Sequence, residues 1–368
     1  MRNILVLGTG VAQADLIKEC KYRGYKVYAC SNRLGDAGEK YVDDFKQINI
    51  VDTESVLEYA KEKKVDYVYS AGSDIAMPTA LKVSEKLALP VFCSSKTSVI
   101  CNNKIQLRET LGEKYPWNLK FQMIQSVKDI VLLDYPFIMK PSDSQGQRGV
   151  CLVRSYQEFI DNYDKTISFS REKKIIIEEY VFGEEISVNA FVDKGKIVFC
   201  FPSKRMSWEQ YPGGIIKKHI LDSSIICDED LYNRIKLLVA DTIGALEIKK
   251  GPVYFQIIVE NRHPKLIEVT PRLDGCHMWN VIKHSTGIDL LKMTVDALEG
   301  KKIEVSNDYT IIPYELEFLC LPPGEVFDKT LFPLSGYDHL QWYYSDGDIV
   351  NTMNGYMEKC GYIIKRQS

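Results

Sequence analysis

The chain has 368 residues, of which 45% are hydrophobic and 26% are charged, the proportions of a folded globular protein and not of a disordered one. Lys and Arg total 47 against 50 Asp and Glu, so the net charge of -3 offers no basic excess for nonspecific nucleic-acid binding. The longest stretch without a charge, residues 3–14, has twelve residues and is too short for a membrane-spanning helix. We therefore expect two or three domains and neither a nucleic-acid nor a membrane partner.

Two features superficially suggest a secreted protein. Arg2, the apolar residues 4–7 and the small residues near Ala14 loosely imitate a secretory signal. Gly8 and Gly10 interrupt that apolar stretch, so we predict a buried first strand instead of an export signal. The ten cysteines are scattered without a Cys-x-x-Cys pair, and we expect reduced thiols in a cytoplasmic protein.

The first hundred residues alternate apolar strands with amphipathic helices. Strands are predicted over 4–7, 27–30 and 67–70, and helices over 14–23, 55–63 and 75–87. This alternation predicts βαβ units in a parallel sheet, in which ligands bind beyond the carboxyl ends of the strands. Two polar turns, at Gly8 and at Asp74, follow such strand ends.

The first of these turns resembles half of a dinucleotide-binding motif. Gly8 and Gly10 begin G-x-G-x-x-G, but the third glycine is replaced by Gln13. Cys30 ends the second strand and is not followed by the acidic residue that would hold a ribose. A tight strand-to-helix turn explains both glycines, so the sequence does not favour a nicotinamide or flavin cofactor.

After a predicted helix over 104–111, hairpins replace the crossovers. Strands are predicted over 136–140, 150–153, 175–180, 186–192, 196–201, 253–259 and 266–269, with a helix over 228–246. The last two strands flank a turn that contains Asn261 and Pro264, and the tail from residue 309 is predicted to form short strands. These features predict an antiparallel sheet.

Two hairpins carry groups suited to a nucleotide. Lys140 ends an apolar strand and precedes the polar loop 142–149, which could fold over phosphates while the lysine supplies charge. The loop is not a Walker motif, and a flexible hairpin is the alternative. The connector that begins at Glu178 could offer backbone groups to an adenine edge and a carboxylate to a ribose, although its four glutamates also fit a solvated edge.

A third hairpin carries oxygen ligands. The strand period places Glu268 and Thr270 on one face, and hairpin pairing can bring Gln256 beside them, with Arg272 at the strand end. Such oxygens beside an arginine suit Mg²⁺ bound with a polyphosphate. The alternative is an ordinary hairpin with one buried ion pair.

The order of these segments resembles the ATP-grasp superfamily. The helix with Lys104, the strand–lysine–loop hairpin, the E-E-x-V-x-G-x-E connector and the E-x-x-P-R strand are similar to carboxylate–amine ligases and to the halves of the carbamoyl-phosphate synthetase large subunit. The likeness covers residues 1 to 300. It implies a mixed α/β and α+β fold: a doubly wound parallel-sheet (pre-ATP-grasp) domain over 1–100, an ATP-binding lid over 101–190, an antiparallel core with the metal site over 191–305 and a C-terminal short-strand subdomain over 306–368.

The resemblance also implies roles for individual residues. The nucleotide-binding residues would be Lys104, Lys140, Ser144, Gln145, Gly146, Glu178, Glu179, Tyr180, Val181 and Glu185. The metal ligands would be Gln256, Glu268 and Thr270, the catalytic residues Arg272 and Lys140, and the substrate-binding candidates Asp74, Arg148, Lys204 and Arg205. Thr270 stands where the family usually has Asn, which leaves open a loosely held metal or a non-catalytic site.

The function implied is an ATP- and Mg²⁺-dependent ligase, with Mn²⁺ as an alternative metal. It would convert a small carboxylate, such as an amino acid, into an acyl phosphate and join it to an amine. An ATP-grasp kinase, a carboxylating enzyme and a non-catalytic nucleotide-binding protein remain alternatives. The partners expected are small molecules, and the oligomeric state is left open, a homodimer being one alternative.

Overall fold

The computed structural model describes residues 1–144, 146, 148–211, 214–306, 308–352 and 355–367, and its strands form three sheets. The strands are β1 (Asn3–Leu7), β2 (Lys26–Ser31), β3 (Asp44–Gln47), β4 (Tyr67–Tyr69), β5 (Phe121–Ile124), β6 (Phe137–Pro141), β7 (Cys151–Val153), β8 (Ile175–Glu179), β9 (Glu184–Asp193), β10 (Lys196–Ser207), β11 (Ile216–Leu221), β12 (Gly251–Glu260), β13 (His263–Thr270), β14 (Tyr314–Leu321), β15 (His339–Trp342) and β16 (Glu358–Arg366). The helices are α1 (Val11–Tyr22), α2 (Thr53–Glu62), α3 (Met77–Lys86), α4 (Ser95–Asn102), α5 (Lys104–Leu111), α6 (Tyr156–Ser168), α7 (Ser224–Cys227), α8 (Glu229–Ala245), α9 (Met278–Thr286) and α10 (Leu290–Leu298), with 3₁₀ turns at Glu39–Tyr41 and Lys329–Leu331.

The first sheet is parallel and has the order β3-β2-β1-β4. Its central strand is buried on both faces: Ile4 packs in the apolar cluster that includes Leu16 of α1, whereas Leu5 packs in the cluster that includes Val56 of α2. Helices therefore cover both faces, and the predicted doubly wound domain is confirmed.

The second sheet, which we call the lid sheet, is antiparallel with the order β5-β8-β6-β7. One face is covered by α6, whose Phe159 meets Phe137 of β6 in an edge-to-face contact with 6.4 Å between ring centroids. The sequence patterns did not predict β5 or α6.

The third sheet, which we call the core sheet, has eight strands in the order β13-β12-β9-β10-β11-β14-β16-β15, all pairs being antiparallel. The predicted two-part antiparallel architecture is thus confirmed. The predicted division at residues 190/191 falls inside β9, and the strands after residue 306 extend the same sheet, so the four-part division stays a prediction. β14 and β16 have eight and nine residues and are longer than the short strands expected of the tail.

The hairpin of β12 and β13 closes more tightly than predicted. Glu260 pairs with His263, and the two residues between them, Asn261 and Arg262, have φ of 47° and 65°. Such a two-residue turn matches the twist of the strands. Pro264 consequently lies in β13 and not in the turn.

Within the described residues, every helix falls short of the length and apolar character needed to cross a bilayer.

Candidate active site

A cavity of about 600 Å³ lies between the lid sheet and the core sheet. Most of the nucleotide-binding candidates line it, together with two of the three metal candidates. These residues are Lys104, Lys140, Ser144, Gly146, Glu178, Glu179, Tyr180, Val181, Glu185, Gln256 and Glu268. Gln145, another candidate, lies outside the described residues.

One part of the cavity wall is apolar. Ile138 and Leu152 line it from the lid sheet, and Ile258 and Ile267 line it from the core sheet. The connector between β8 and β9 borders the same space. Apolar side chains from two sheets with a nearby stretch of connector backbone can hold a planar heteroaromatic ring.

The connector depends on a glycine. A Cβ atom added at Gly183 would stand 2.2 Å from the backbone oxygen of Val259, so any side chain there would collide with β12. The backbone N–H of Phe182 donates to Glu260, at 3.2 Å, and ties the connector to the same strand. The glycine of the predicted connector motif is therefore required by close packing of two backbones.

Two lysines supply positive charge to the cavity. Lys104 begins α5, and its Nζ donates to the backbone oxygen of Ser144 at 2.7 Å, which fixes the start of the phosphate-loop candidate. Burial lowers the pKa of the Lys104 ammonium group below its ordinary value, although the carboxylate of Glu268 opposes the shift. Lys140 lies at the end of β6, and its Nζ contacts Glu178 at 2.6 Å.

Glu178 has a second cationic partner that the sequence patterns did not indicate. The Nε of Arg108 donates to Glu178 at 2.8 Å, and its terminal nitrogens donate to the backbone oxygens of Leu266 and Ile267 at 2.8 and 2.9 Å. Arg108 is fully buried. It joins the lid sheet to the core sheet, and its spacing of four residues from Lys104 on one helix is the signal that could have indicated it.

The two cations set the charge of Glu178. Burial by itself would raise the pKa of this carboxyl group, but attraction and hydrogen bonds from Arg108 and Lys140 lower it to about 2. Glu178 therefore stays ionised and holds Lys140 at the cavity wall. Glu178 thus lies on β8 with its side chain in contact with Lys140, whereas Tyr180 and Val181 lie in the connector.

Two of the three metal candidates, Gln256 and Glu268, lie side by side in the hairpin. Gln256 of β12 is directly opposite Glu268 of β13, so an amide oxygen and a carboxylate project side by side into the cavity. Mg²⁺ binds through few protein oxygens and shares phosphate oxygens, and this donor pair beside two lysines fits that pattern. Thr270 differs, since its hydroxyl donates to Asp74 at 2.6 Å.

Arg205, one of the two alternatives for binding substrate, is the one that joins the site. Its guanidinium contacts the carboxylate of Glu185, which also accepts from Gln256 at 3.4 Å. Lys204 pairs instead with Asp222, at 3.3 Å. Neighbouring strand residues point to opposite faces, which explains why only one of the pair reaches the site.

Several polar groups are buried without a partner, and one of them, His219, lies opposite Arg205 on the neighbouring strand. Within the described part of the chain, Asn189 Nδ2, Arg205 Nε, both ring nitrogens of His219 and Asp274 Oδ2 are buried without a hydrogen-bond partner. Burial, with Arg205 and Lys359 nearby, lowers the pKa of His219 well below its ordinary value and keeps the ring neutral. Burial likewise raises the pKa of Asp274. Unpaired buried groups of this kind are costly unless a ligand or water meets them.

Arg148 lies elsewhere. With Lys165, Phe169 and Tyr356 it lines a second cavity of about 330 Å³ beside the lid sheet. Asp74 and Arg272 form an ion pair next to Thr270, at the boundary with the parallel-sheet domain.

Comparisons with known proteins bear on the family and the fold of the chain. Residues 133–279 match the model of the ATP-grasp domain. The chain is 24% identical to a phosphoribosylamine–glycine ligase of Methanocella arvoryzae, over 95% of this chain and 87% of that one. It is 24% identical to a carbamoyl phosphate synthase large chain of Pyrococcus furiosus, over 84% of this chain and 31% of that one. The crystal structure of an L-amino acid ligase from Bacillus licheniformis superposes with a TM-score of 0.83 at 19% identity, over 100% and 94% of the two chains.

Proposed function

The chain carries an ATP-grasp domain, and from this premise we propose that it is an ATP- and Mg²⁺-dependent ligase that joins a small carboxylate to an amine. The observation that carries the proposal is the meeting of two lysines with the Gln256–Glu268 pair in one cavity between two sheets. The Methanocella arvoryzae relative, which matches 95% of this chain, is named a phosphoribosylamine–glycine ligase, and this supports the same class of reaction.

The cavity suggests how ATP would bind. The apolar wall with Ile138 and Ile258 would hold the adenine beside the connector, and Lys104 and Lys140 would contact the phosphates. Glu185 would accept hydrogen bonds from the ribose. The placements of Lys104, Lys140 and Glu185 follow the roles that the resemblance implies.

Glu268 and Gln256 would hold the magnesium ion. When bound, Mg²⁺ neutralises phosphate charge and lowers the barrier to phosphoryl transfer. Mn²⁺ has the same preference for oxygen ligands. The protein's own contribution is a carboxylate and an amide fixed side by side by the pairing of two strands.

The reaction would proceed in two steps. A substrate carboxylate oxygen attacks the γ-phosphorus of ATP, so an O–P bond forms, the bond to ADP breaks, and an acyl phosphate results. The amine then attacks the acyl carbon, a C–N bond forms, and the C–O bond breaks as phosphate leaves, the amine giving up a proton. Lys140 and Arg272 would balance the negative charge of the transferring phosphate.

Arg205 and the other buried polar groups without a partner would bind the carboxylate substrate. Arg205 and neutral His219 offer hydrogen-bond donors, while Asn189 offers a further amide N–H. Asp274 would accept from an amino group, as an amino acid would provide. The expected partners are thus small molecules, the proposed location is the cytoplasm, and a homodimer stays a prediction.

Trapping with hydroxylamine tests the proposal. Purified protein with ATP and Mg²⁺ should form a hydroxamate with one small carboxylate or amino acid from a panel, because hydroxylamine intercepts acyl phosphates. Lys140→Ala should abolish the product, and Lys128→Ala, which changes an exposed lysine after β5, should retain it. ADP formed without hydroxamate from any acid would indicate a kinase or a carboxylating enzyme, and tight ATP binding without ADP would indicate a nucleotide-binding protein.

The loop 142–149 would close over bound phosphates and keep water from the acyl phosphate. Cys151, at the foot of this loop, lines the cavity, and burial raises its thiol pKa, whereas Cys227 is exposed. We expect ATP with Mg²⁺ to slow alkylation of Cys151 by N-ethylmaleimide and to leave Cys227 unchanged, as measured by peptide mass spectrometry. Equal alkylation of Cys151 with and without nucleotide, or unchanged proteolysis of the loop, would contradict closure.

A further inference from the structure

The backbone of the parallel-sheet domain packs closely against the backbone of the segment that follows β13. Gly72, after β4, donates its N–H to the oxygen of Leu273 at 3.1 Å. Its φ is +67°, and a Cβ atom there would stand 3.0 Å from Gly275 Cα and 3.2 Å from Asp274 O. A Cβ atom at Gly275 would likewise stand 3.2 Å from the Gly72 oxygen, so the loop 71–76 packs tightly against the segment that carries Arg272.

Asp74 uses this close contact to reach Arg272. Arg272 Nε donates to Asp74 Oδ1 at 2.6 Å, and a terminal nitrogen donates to Oδ2, so the contact is bidentate. Thr270 Oγ1 donates to Oδ1 at 2.6 Å, and the Asp74 backbone oxygen accepts from Asn102. Burial would raise the pKa of Asp74, but Arg272 and Thr270 outweigh it, so the carboxyl group stays ionised.

Asp74 occupies only some of the N–H donors of Arg272, and some of the others are available to a ligand. A guanidinium has five N–H groups in one plane. Two go to Asp74 and one, from the other terminal nitrogen, goes to the backbone oxygen of Leu273 at 2.7 Å. In the described part of the chain this leaves two N–H groups, whose directions are fixed because the plane is fixed. A bidentate pair gives orientation as well as energy.

Building on the proposed function, we propose that Asp74 is the positioning residue of the reaction: the parallel-sheet domain uses it to orient Arg272 toward the transferring phosphate. Thr270 takes part as a hydrogen-bond donor to Asp74 and not as a third metal ligand. On this proposal, the threonine that replaces the usual Asn at position 270 helps to orient Arg272 through Asp74. Gln256 and Glu268 are then the protein's metal ligands.

Steady-state kinetics of hydroxamate formation separates positioning from substrate binding. Misplacing a reacting group by about 1 Å can cost ~100-fold in rate, and we expect Asp74→Asn to lower kcat by about that factor with the KM of ATP and of the carboxylate changed by no more than about threefold. Glu58→Gln, which removes one exposed carboxylate from the same domain, should match the wild-type protein. A raised KM for the carboxylate with kcat retained would make Asp74 a substrate contact and overturn the proposal, as would an unchanged kcat.

The hydroxyl at position 270 supplies a second test that does not touch the carboxylate. Thr270→Val should lower kcat, Thr270→Ser should restore it, and neither should change the Mg²⁺ concentration that gives half-maximal binding of ATP. A large increase in that Mg²⁺ concentration for Thr270→Val, without effect in the Ser variant, would make Thr270 a metal ligand and overturn its assignment. This pair also decides the matter if Asp74→Asn does not fold.

Chemical labelling separates this inference from the proposed function. If the wild-type protein formed no hydroxamate with any acid, the ligase proposal would fail, but the Asp74–Arg272 pair would still be testable. Phenylglyoxal should label Arg272 faster in Asp74→Asn than in Glu58→Gln, as measured on the peptide that contains Arg272. Equal labelling in the two variants would show that Asp74 does not hold the guanidinium.

Discussion

Glu268→Gln should lower the rate of hydroxamate formation by about 10³-fold, since a metal contributes several kcal/mol of charge stabilisation and each 1.36 kcal/mol is tenfold in rate. Glutamine has nearly the same shape and leaves the β12–β13 pairing intact, so the loss would come from charge. The protein should also need more Mg²⁺ for half-maximal binding of ATP, because a neutral amide with a single oxygen replaces the carboxylate opposite Gln256.

Two further variants calibrate this result. Gln256→Ala should cost less than Glu268→Gln, because an amide oxygen is the weaker ligand for a hard cation. Glu229→Gln, at the exposed start of α8, should leave both the rate and the Mg²⁺ dependence unchanged. If Glu268→Gln kept more than about a tenth of the wild-type rate, Glu268 would not hold the metal that assists phosphoryl transfer.

The Gln256–Glu268 pair was predictable because it needs only two rules. Strand residues alternate between faces, and a short turn pairs the strands that it joins, so the hairpin's own sequence determines which residues face each other. The same local logic predicted β1, β2 and the helix with Lys104. Apolar alternation identifies these elements without knowledge of any distant contact.

The ion pair of Asp74 with Arg272 was not predictable in this way. The two residues are 198 positions apart, and their contact depends on how the parallel-sheet domain packs on the core sheet. Strand β3 was missed for a different reason: as an edge strand with the sequence Asp-Phe-Lys-Gln it lacks an apolar run. The burial of Arg108 was not predicted, because a single arginine on a helix is usually solvated.

Arg108→Met should have the largest effect on stability. The variant would leave Glu178 buried with Lys140 as its cationic partner and would remove the donors to two backbone oxygens of β13. Removing one partner of a buried ion pair typically costs about 3–5 kcal/mol of unfolding free energy. Chemical denaturation should show that loss for Arg108→Met, whereas the exposed neighbour Glu109→Gln should change the free energy by no more than about 0.5 kcal/mol.

Removing the charge of Glu178 as well should restore part of this stability. The double variant Arg108→Met with Glu178→Gln no longer buries a carboxylate with too few partners, so we expect it to be more stable than Arg108→Met alone. If the double variant were instead less stable by the sum of the two single effects, the pair would contribute independently and no coupling through Glu178 would exist.

The same network predicts how acid unfolds the protein. The pKa of Glu178 is lowered on folding from 4.5 to about 2, so the folded state binds its proton less readily than the unfolded state. The stabilisation from ionised Glu178 is therefore fully present above pH 4.5 and is lost as the pH falls from 4.5 toward 2. Unfolding free energy measured across this window should fall more steeply for the wild-type protein than for Glu178→Gln. Parallel pH profiles of the two proteins would show that Glu178 is not the group held ionised between Arg108 and Lys140.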